Sequence, residues 1–350
     1  MKKICFIADA RSPHTQKWIR GCQKLNWEIT VVSHNPATIP GVRVIVHPLP
    51  LQGFLKYCWS VRKLIRQIKP DIVHAHQFGA HGLYGWFAGC GVLINSAWGS
   101  DILLNPNRSR VLRSLVKFLI RHSQVITSDS LQVTAALVEL GAKPEQVLTF
   151  LFGMERAVVE KLNWIERPAS PFIICSPRLH EPLYNLPVIL EAFRRLQQEE
   201  RDLQLWMLGD GSLTPSLQTF VAEHQLQGVA FFGRVSADEA LNRIARSHVL
   251  VSIPSSDGTP VSMLEAMAAG CLPVVSNLPV YHDWIRNGVN GIIVPIDATG
   301  LAEALRKSFT EPGFRQQAAE VNRRLIRDKA IWEDQFQVML DYYQKAADVS

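Results

Sequence analysis

No stretch of this 350-residue sequence reaches the ~20 consecutive apolar residues that a membrane-spanning helix requires. The nearest, residues 82–98, is interrupted by Gly85, Gly89, Gly91 and Asn95 and reads as a buried helix followed by a buried strand. The apolar run behind Met1, Lys2 and Lys3 is too short for a secretory leader and reads as a first central strand. The six cysteines (Cys5, Cys22, Cys58, Cys90, Cys175, Cys271) show no Cys-x-x-Cys spacing. That argues against a zinc frame or a disulfide scaffold and for buried, reduced thiols in a cytoplasmic protein. Short repeats and low-complexity tracts are missing as well. Only 19% of the residues are charged against 47% hydrophobic, the balance of a folded globular chain. The net charge of +6 and a pI near 9.0 admit anionic partners, either phosphates or an acidic membrane surface. The cations are spread along amphipathic helices rather than interleaved with exposed aromatics, so a nucleic-acid partner is not expected.

A chain of 350 residues is too long for one ordinary core and suits two domains. Short β-branched runs at residues 4–8, 29–33, 42–47, 72–74, 92–96, 125–128 and 147–150 alternate with helical patterns, which implies a doubly wound parallel sheet. A polar, proline-bearing stretch at 161–171 reads as a linker. A second alternation follows at 172–175, 205–208, 230–232, 249–253, 273–276 and 291–294, and the tail is helical from Leu301. The expected fold is therefore α/β, with two tandem Rossmann-like domains, residues 1–160 and 172–330. Ligands of such sheets bind at the carboxyl ends of the strands, here in a cleft expected between the domains.

The most informative stretch is residues 249–270. An apolar strand runs into a loop of small and turn-forming residues, Pro254 to Pro260, and a helix starts near Val261. A loop that delivers backbone N–H groups to a helix N-terminus holds an anion without a metal. Asp257 and Glu265 flank that anion site, and carboxylates accept hydrogen bonds from sugar hydroxyls. Loop, helix dipole and two acids together read as a nucleotide-sugar site, with Gly258, Thr259, Pro260, Val261 and Ser262 against the phosphates. An Arg at the carboxyl end of the strand before residue 178 faces this helix, so Arg178 is a candidate for the pyrophosphate; its alternative is an ordinary surface charge.

The block Glu265-Ala-Met-Ala-Ala-Gly-Cys-Leu-Pro-Val-Val275 resembles the donor-binding motif of family 4 retaining glycosyltransferases, which have the GT-B fold. The family's first glutamate is replaced by Asp257 at the same separation of seven intervening residues. The resemblance covers essentially the whole chain. It implies transfer of a sugar from a nucleotide-diphosphate sugar, with no other cofactor, to a glycan or lipid-linked acceptor. It assigns Glu265 to the ribose, Arg178 to the donor phosphates, and the loop around Gly233 and Arg234 to the border of the base. It also implies that the last segment, 331–350, crosses back onto the N-terminal domain. The family's phosphate-binding Lys is missing, and Leu183, Tyr184 and Asn185 occupy that region. Tyr184 or Asn185 is expected to donate hydrogen bonds in its place, or Arg11 to reach across the cleft. No Asp-x-Asp sequence occurs, which removes the metal-bridging motif of the other large glycosyltransferase fold, and no metal site is expected.

Other strand ends carry further candidates. Gly209, in Leu208-Gly-Asp-Gly-Ser212, permits a tight turn and close backbone approach. On the acceptor side, His14 follows the first strand, where the family often has glycines. His74 and His76 end another strand, and alternation is expected to send their imidazoles to opposite faces, with His76 toward the cleft. Trp98 stands where the family often has a histidine and offers a stacking face for a sugar. Asp101 reads either as a hydroxyl-binding group, and so as catalytic with Arg178 and Asp257, or as a helix N-cap. Arg110, Arg113, Lys117 and Arg121 recur at helical spacing beside an apolar face expected at Val111, Leu115, Phe118 and Leu119. This helix reads either as a contact to anionic lipid on the inner face of a membrane or as an ordinary half-buried surface helix. The rival functions are an inverting GT-B enzyme, a sugar-nucleotide epimerase, and a non-catalytic sugar-nucleotide-binding subunit.

Overall fold

In the computed structural model, which describes residues 1–47, 54–89, 91–151, 153–162, 167–168, 170–200, 202–258 and 260–349, the chain divides into two units. The first comprises Met1–Phe152 with Glu333–Ser350, the second Gly153–Trp332. Thr259, Cys90 and parts of the expected linker (163–166 and 169) lie outside the described residues.

The first unit is built on seven parallel strands: β1 (Lys3–Ile7), β2 (Glu28–Ser33), β3 (Arg43–Val46), β4 (Ile72–His76), β5 (Val92–Ser96), β6 (Val125–Ser128) and β7 (Val147–Thr149). They lie in the order β3-β2-β1-β4-β5-β6-β7. The order reverses between β1 and β4, so the loops after these neighbours diverge and leave a crevice at their carboxyl ends. Both faces are covered, which is why the central strands are near-continuous apolar runs. On one face, Cys5, Ile7, Val73 and Ala75 pack with Val61, Ile65 and Tyr84 of helices α2 (Phe54–Ile68) and α3 (Ala80–Ala88).

The other face of β4 carries His74 and His76 together, with ring centroids 4.9 Å apart. This corrects the expectation that they diverge: residues two apart on a strand share a face. Both imidazoles pack on Trp18 of helix α1 (Pro13–Cys22). Helix α1 starts where it does because Pro13 fits the first turn and Ser12 accepts the Thr15 N–H. The C-terminal helix (Trp332–Val349) closes this side. Trp18 Nε1 donates to the Tyr343 hydroxyl at 2.8 Å, and that hydroxyl also bonds His74 Nδ1. Phe336 fills the notch at Gly21, where a Cβ would run into its ring. Buried Phe336, Met339 and Tyr343 each contribute about 1.5–3 kcal/mol to holding this helix on the first unit.

The second unit has six parallel strands: β8 (Phe172–Ser176), β9 (Leu203–Met207), β10 (Val229–Phe231), β11 (Val249–Ser252), β12 (Leu272–Ser276) and β13 (Ile292–Val294). Their order, β10-β9-β8-β11-β12-β13, reverses between β8 and β11. The two parallel-sheet α/β units expected from the alternation of strands and helices are thus present. The first unit ends at Phe152/Gly153 because Met154 pairs with the far end of the second unit: its N–H donates to Ala330 and its carbonyl accepts from Trp332, each at 2.7 Å. Arg167 anchors the stretch that follows by donating to the carbonyls of Ala245 (2.7 Å) and Ala269 (2.9 Å).

Candidate functional site

The switch point of the second unit gathers the residues that the sequence singled out. Arg178 follows β8 and Asp257 follows β11, and these two strands are neighbours. The Arg178 guanidinium donates from Nε to Ser252 Oγ at 2.7 Å and from Nη2 to the Asp257 carboxylate. Tyr281, on a short helix (Pro279–His282) behind β12, donates its hydroxyl to Asp257 Oδ2 at 2.7 Å and accepts from Arg178 Nη2 at 3.3 Å. The ring of Tyr184 lies 5.4 Å from the guanidinium carbon. The Arg178 and Asp257 side chains are 13% and 12% exposed. Burial works against the Arg178 charge, but the carboxylate beside it holds its pKa above the ordinary value. Burial pushes Tyr281 upward as well, so its hydroxyl stays protonated as a donor.

Two elements follow in the chain. Helix α5 (Val261–Ala268) begins after Pro260, which has no N–H to offer. Met263 and Leu264 donate to the Pro260 carbonyl, while the N–H groups of Val261 and Ser262 have no partner among the described residues. They are the open end of the helix dipole. A Cβ on Gly258 would meet nothing within 4 Å, so the backbone before the helix stays open to a ligand. Glu265 lies one turn into α5, half-buried between fully packed Leu264 and Ala266. Burial raises its pKa to about 7, and no donor reaches it among the described residues. A half-buried carboxyl without a donor among the described residues is suited to a ligand that brings two hydroxyls.

The surrounding loops interlock. Gly209, with φ of +91°, donates to the Gly233 carbonyl at 2.7 Å, and a Cβ there would stand 3.0 Å from the Arg178 carbonyl. Arg234 is well exposed and pairs with Asp210 at 2.6 Å. Asn185 donates to Ile253 O (2.8 Å) and Ser255 Oγ (3.0 Å), so it braces the loop after β11. Gly209 and Tyr184 thus stand against Arg178, Gly233 is joined to Gly209, Asn185 holds the neighbouring loop, and Arg234 is exposed. The Asp257–Arg178 pair and the part played by Ser252 and Tyr281 were not foreseen. Tyr281 is fully buried and in sequence looks like any core aromatic; the signal available was its place just behind a strand end.

In the first unit, His14 and His76 flank Trp98, with ring centroids 5.2 and 5.1 Å away. His76, expected to face a ligand, is only 2% exposed; burial, with His81 and His14 nearby, lowers its pKa to about 3. Its Nδ1 bonds Thr15 Oγ1 at 3.1 Å, and it is a neutral packing residue. Burial, then Lys17, lowers the pKa of His14. Asp101 is 4% exposed and accepts the N–H groups of Phe78 (2.8 Å) and Trp98 (3.0 Å). Its two oxygens tie the loops after β4 and β5 together, and the N-cap of the helix that follows is Gly99 rather than Asp101. Burial raises its pKa to about 6. Arg11 pairs with Asp9 in its own loop at 3.3 Å.

Among the described residues, no helix is long and apolar enough to cross a membrane. Helix α4 (Arg110–His122) buries Val116, Leu119 and Ile120 and leaves Val111 76% exposed. Val111 therefore does not belong to its core-facing side.

Both segments of the chain find counterparts among known proteins. Residues 3–130 match the family described as Glycosyl transferase 4-like, and residues 170–311 match Glycosyl transferases group 1. The chain is 25% identical to glycogen synthase of Mycobacterium tuberculosis over 77% of its own length and 67% of that protein. Its fold is similar to that of a glycosyltransferase from Rickettsia africae (TM-score 0.84, 16% identity, covering 100% of this chain and 99% of that one). It is also similar to HepE of Anabaena in complex with UDP (TM-score 0.80, 14% identity, 99% and 100% covered). With both family segments in sequence order on paired parallel-sheet units, the chain belongs to the glycosyltransferases of the GT-B fold.

Proposed function

We propose that the protein transfers a sugar from a nucleotide-diphosphate sugar to a hydroxyl of a glycan or lipid-linked acceptor, with retention of configuration and without a metal. One observation carries this reading. At a single switch point, an arginine and the N-terminus of α5 accompany a half-buried carboxyl that no donor reaches among the described residues. Arg178 and the Val261 and Ser262 amides suit a diphosphate, and Glu265 suits the ribose diol. The UDP bound to HepE supports a nucleotide donor.

The C1–O bond to the diphosphate breaks, the acceptor oxygen bonds to C1, and the acceptor proton passes to the leaving phosphate. Arg178 and the helix N-terminus stabilise the charge that develops there. The Asp257 carboxylate is engaged by Arg178, Tyr281 and its own loop, which favours a route without an enzyme nucleophile. The test is transfer monitored by NMR with and without EDTA. The expected product keeps the donor's anomeric configuration, and chelation leaves the rate unchanged. An inverted product, an epimerised donor, or binding without transfer would establish one of the rival functions.

We further propose that the protein acts in the cytoplasm on the inner face of a membrane, where lipid-linked acceptors are presented. Helices α2 and α4 carry Lys56, Arg62, Lys63, Arg66, Arg110, Arg113, Lys117 and Arg121 and no acidic residue. Helix α3 packs against both. Trp59, 64% exposed, stands among the cations of α2 and gives the face an indole suited to the lipid headgroup layer. In flotation assays the protein should bind vesicles containing anionic lipid and not neutral ones, and Trp59→Ser should weaken that binding. Equal binding to both vesicles, or to neither, would count against this location.

A further inference from the structure

We infer that Asp257 and Tyr281 are positioning residues for Arg178 rather than contacts to the transferred sugar. This rests on the donor-site reading above. A guanidinium carries five N–H groups in a rigid fork. Here the Nε and Nη2 edge is held by Ser252, Asp257 and Tyr281. Nη1 has no partner among the described residues and is the nitrogen that can meet a phosphate. Ser252 and Tyr281 are both fully buried, so two fixed hydroxyls and one carboxylate set the plane of the fork.

The Asp257 carboxylate has little left to offer a sugar. Oδ2 accepts from Arg178 and Tyr281, and Oδ1 accepts the N–H of Gly258 at 3.0 Å. The short side chain matters for this arrangement. One more methylene would move the carboxylate by about 1.5 Å, out of register with Arg178 and Tyr281 together. Asp257 stands where the family has a glutamate, and in this chain that shorter carboxylate is turned to the arginine. Tyr281 supplies the hydrogen bond that keeps the shorter acid in place.

The ion pair has a second consequence. Asp257 cancels much of the field that Arg178 would otherwise direct at an anion. Removing the carboxylate should therefore tighten binding of free diphosphate while leaving the arginine loosely oriented for catalysis. A sugar contact predicts no change in free diphosphate affinity, and a loop-capping role predicts its loss together with a lowered Tm.

The experiment uses the full-length protein, with UDP, ADP and GDP as binding probes and transfer from the nucleotide sugar that stabilises it most. Asp257→Asn should bind the preferred nucleoside diphosphate about threefold to tenfold more tightly, because an opposing charge has gone, and should lower kcat by about tenfold or more. Asp257→Glu should not rescue kcat. In an Arg178→Ala background, Asp257→Asn should have no further effect on kcat, because the group it positions is gone. Tyr281→Phe, which keeps the ring, should lower kcat in the same direction and lose that effect in the Arg178→Ala background. Unchanged diphosphate affinity in Asp257→Asn with activity kept in Asp257→Glu overturns the inference and leaves the donor site standing. So does additivity of Tyr281→Phe with Arg178→Ala, a test that holds even if the Asp257 variants misfold. No binding of any of the three probes to the wild-type protein overturns both.

Discussion

Arg178→Ala is expected to lower kcat/KM for sugar transfer by roughly 10²–10³, the usual scale for removing one donor that stabilises a leaving oxyanion. The second unit should keep its fold, because the strands that frame the site are packed independently of this side chain. Two features make the loss large. The family's lysine is missing from the loop that ends at Asn185, so Arg178 is the side-chain cation at this strand end. The fork is also already oriented by Ser252 and Asp257, so little reorganisation is needed as charge develops. Arg178→Lys should recover little, since an ammonium cannot reproduce the planar Nε and Nη2 edge. Steady-state kinetics, with circular dichroism to check folding, tests this. A loss below about fivefold in a folded variant would move the leaving-group role to the α5 amides alone.

Glu265→Gln should make the protein more stable and less able to bind its donor. The carboxyl is raised from its ordinary value of 4.5 to about 7 by burial. Ionising it in the folded state is therefore costly. The penalty is absent below pH ~4.5, grows through the window up to about 7, and is complete above it. At pH 8 it amounts to about 3 kcal/mol at most, and for a unit of this size the amide variant should melt several degrees higher. Near pH 4.5 the two proteins should melt together. Nucleotide binding should fall about 100-fold in the variant, because the ribose hydroxyls lose a charged acceptor. Thermal melts across pH 4.5–8, with and without nucleotide, separate the two effects. A variant that is less stable at pH 8 would mean that Glu265 is held by the protein itself rather than kept for a ligand.

The positions of strands and helices along the chain were legible in the sequence because each depends on local pattern. β-branched runs, a helix start after Pro260 and the Glu-Ala-Met-Ala block are all contiguous. What escaped depends on neighbours distant in the chain. Arg178 and Asp257 are each readable as site residues, yet their pairing follows from β8 lying next to β11, which no local pattern reveals. Tyr281 arrives from a third strand end and is hidden by its burial. Asp101 and His76 read by residue type as ligand groups, whereas their burial, and the two backbone N–H groups that Asp101 accepts, come from tertiary packing. The two histidines of β4 needed only the period of a strand, and there the expectation itself was at fault.

The central claim is that Glu265 and Arg178 form a nucleotide-sugar site. The measurement that tests it most directly is calorimetric titration of a nucleotide sugar into the wild-type protein and Glu265→Gln between pH 5.5 and 8. A ribose diol binds the ionised carboxylate, and the free group titrates at about 7. The account predicts wild-type affinity that is flat above pH 7 and falls about tenfold per pH unit below it, with proton release on binding. The Glu265→Gln profile should be weak and flat. Wild-type affinity that does not change with pH, or the same profile in both proteins, would contradict the account.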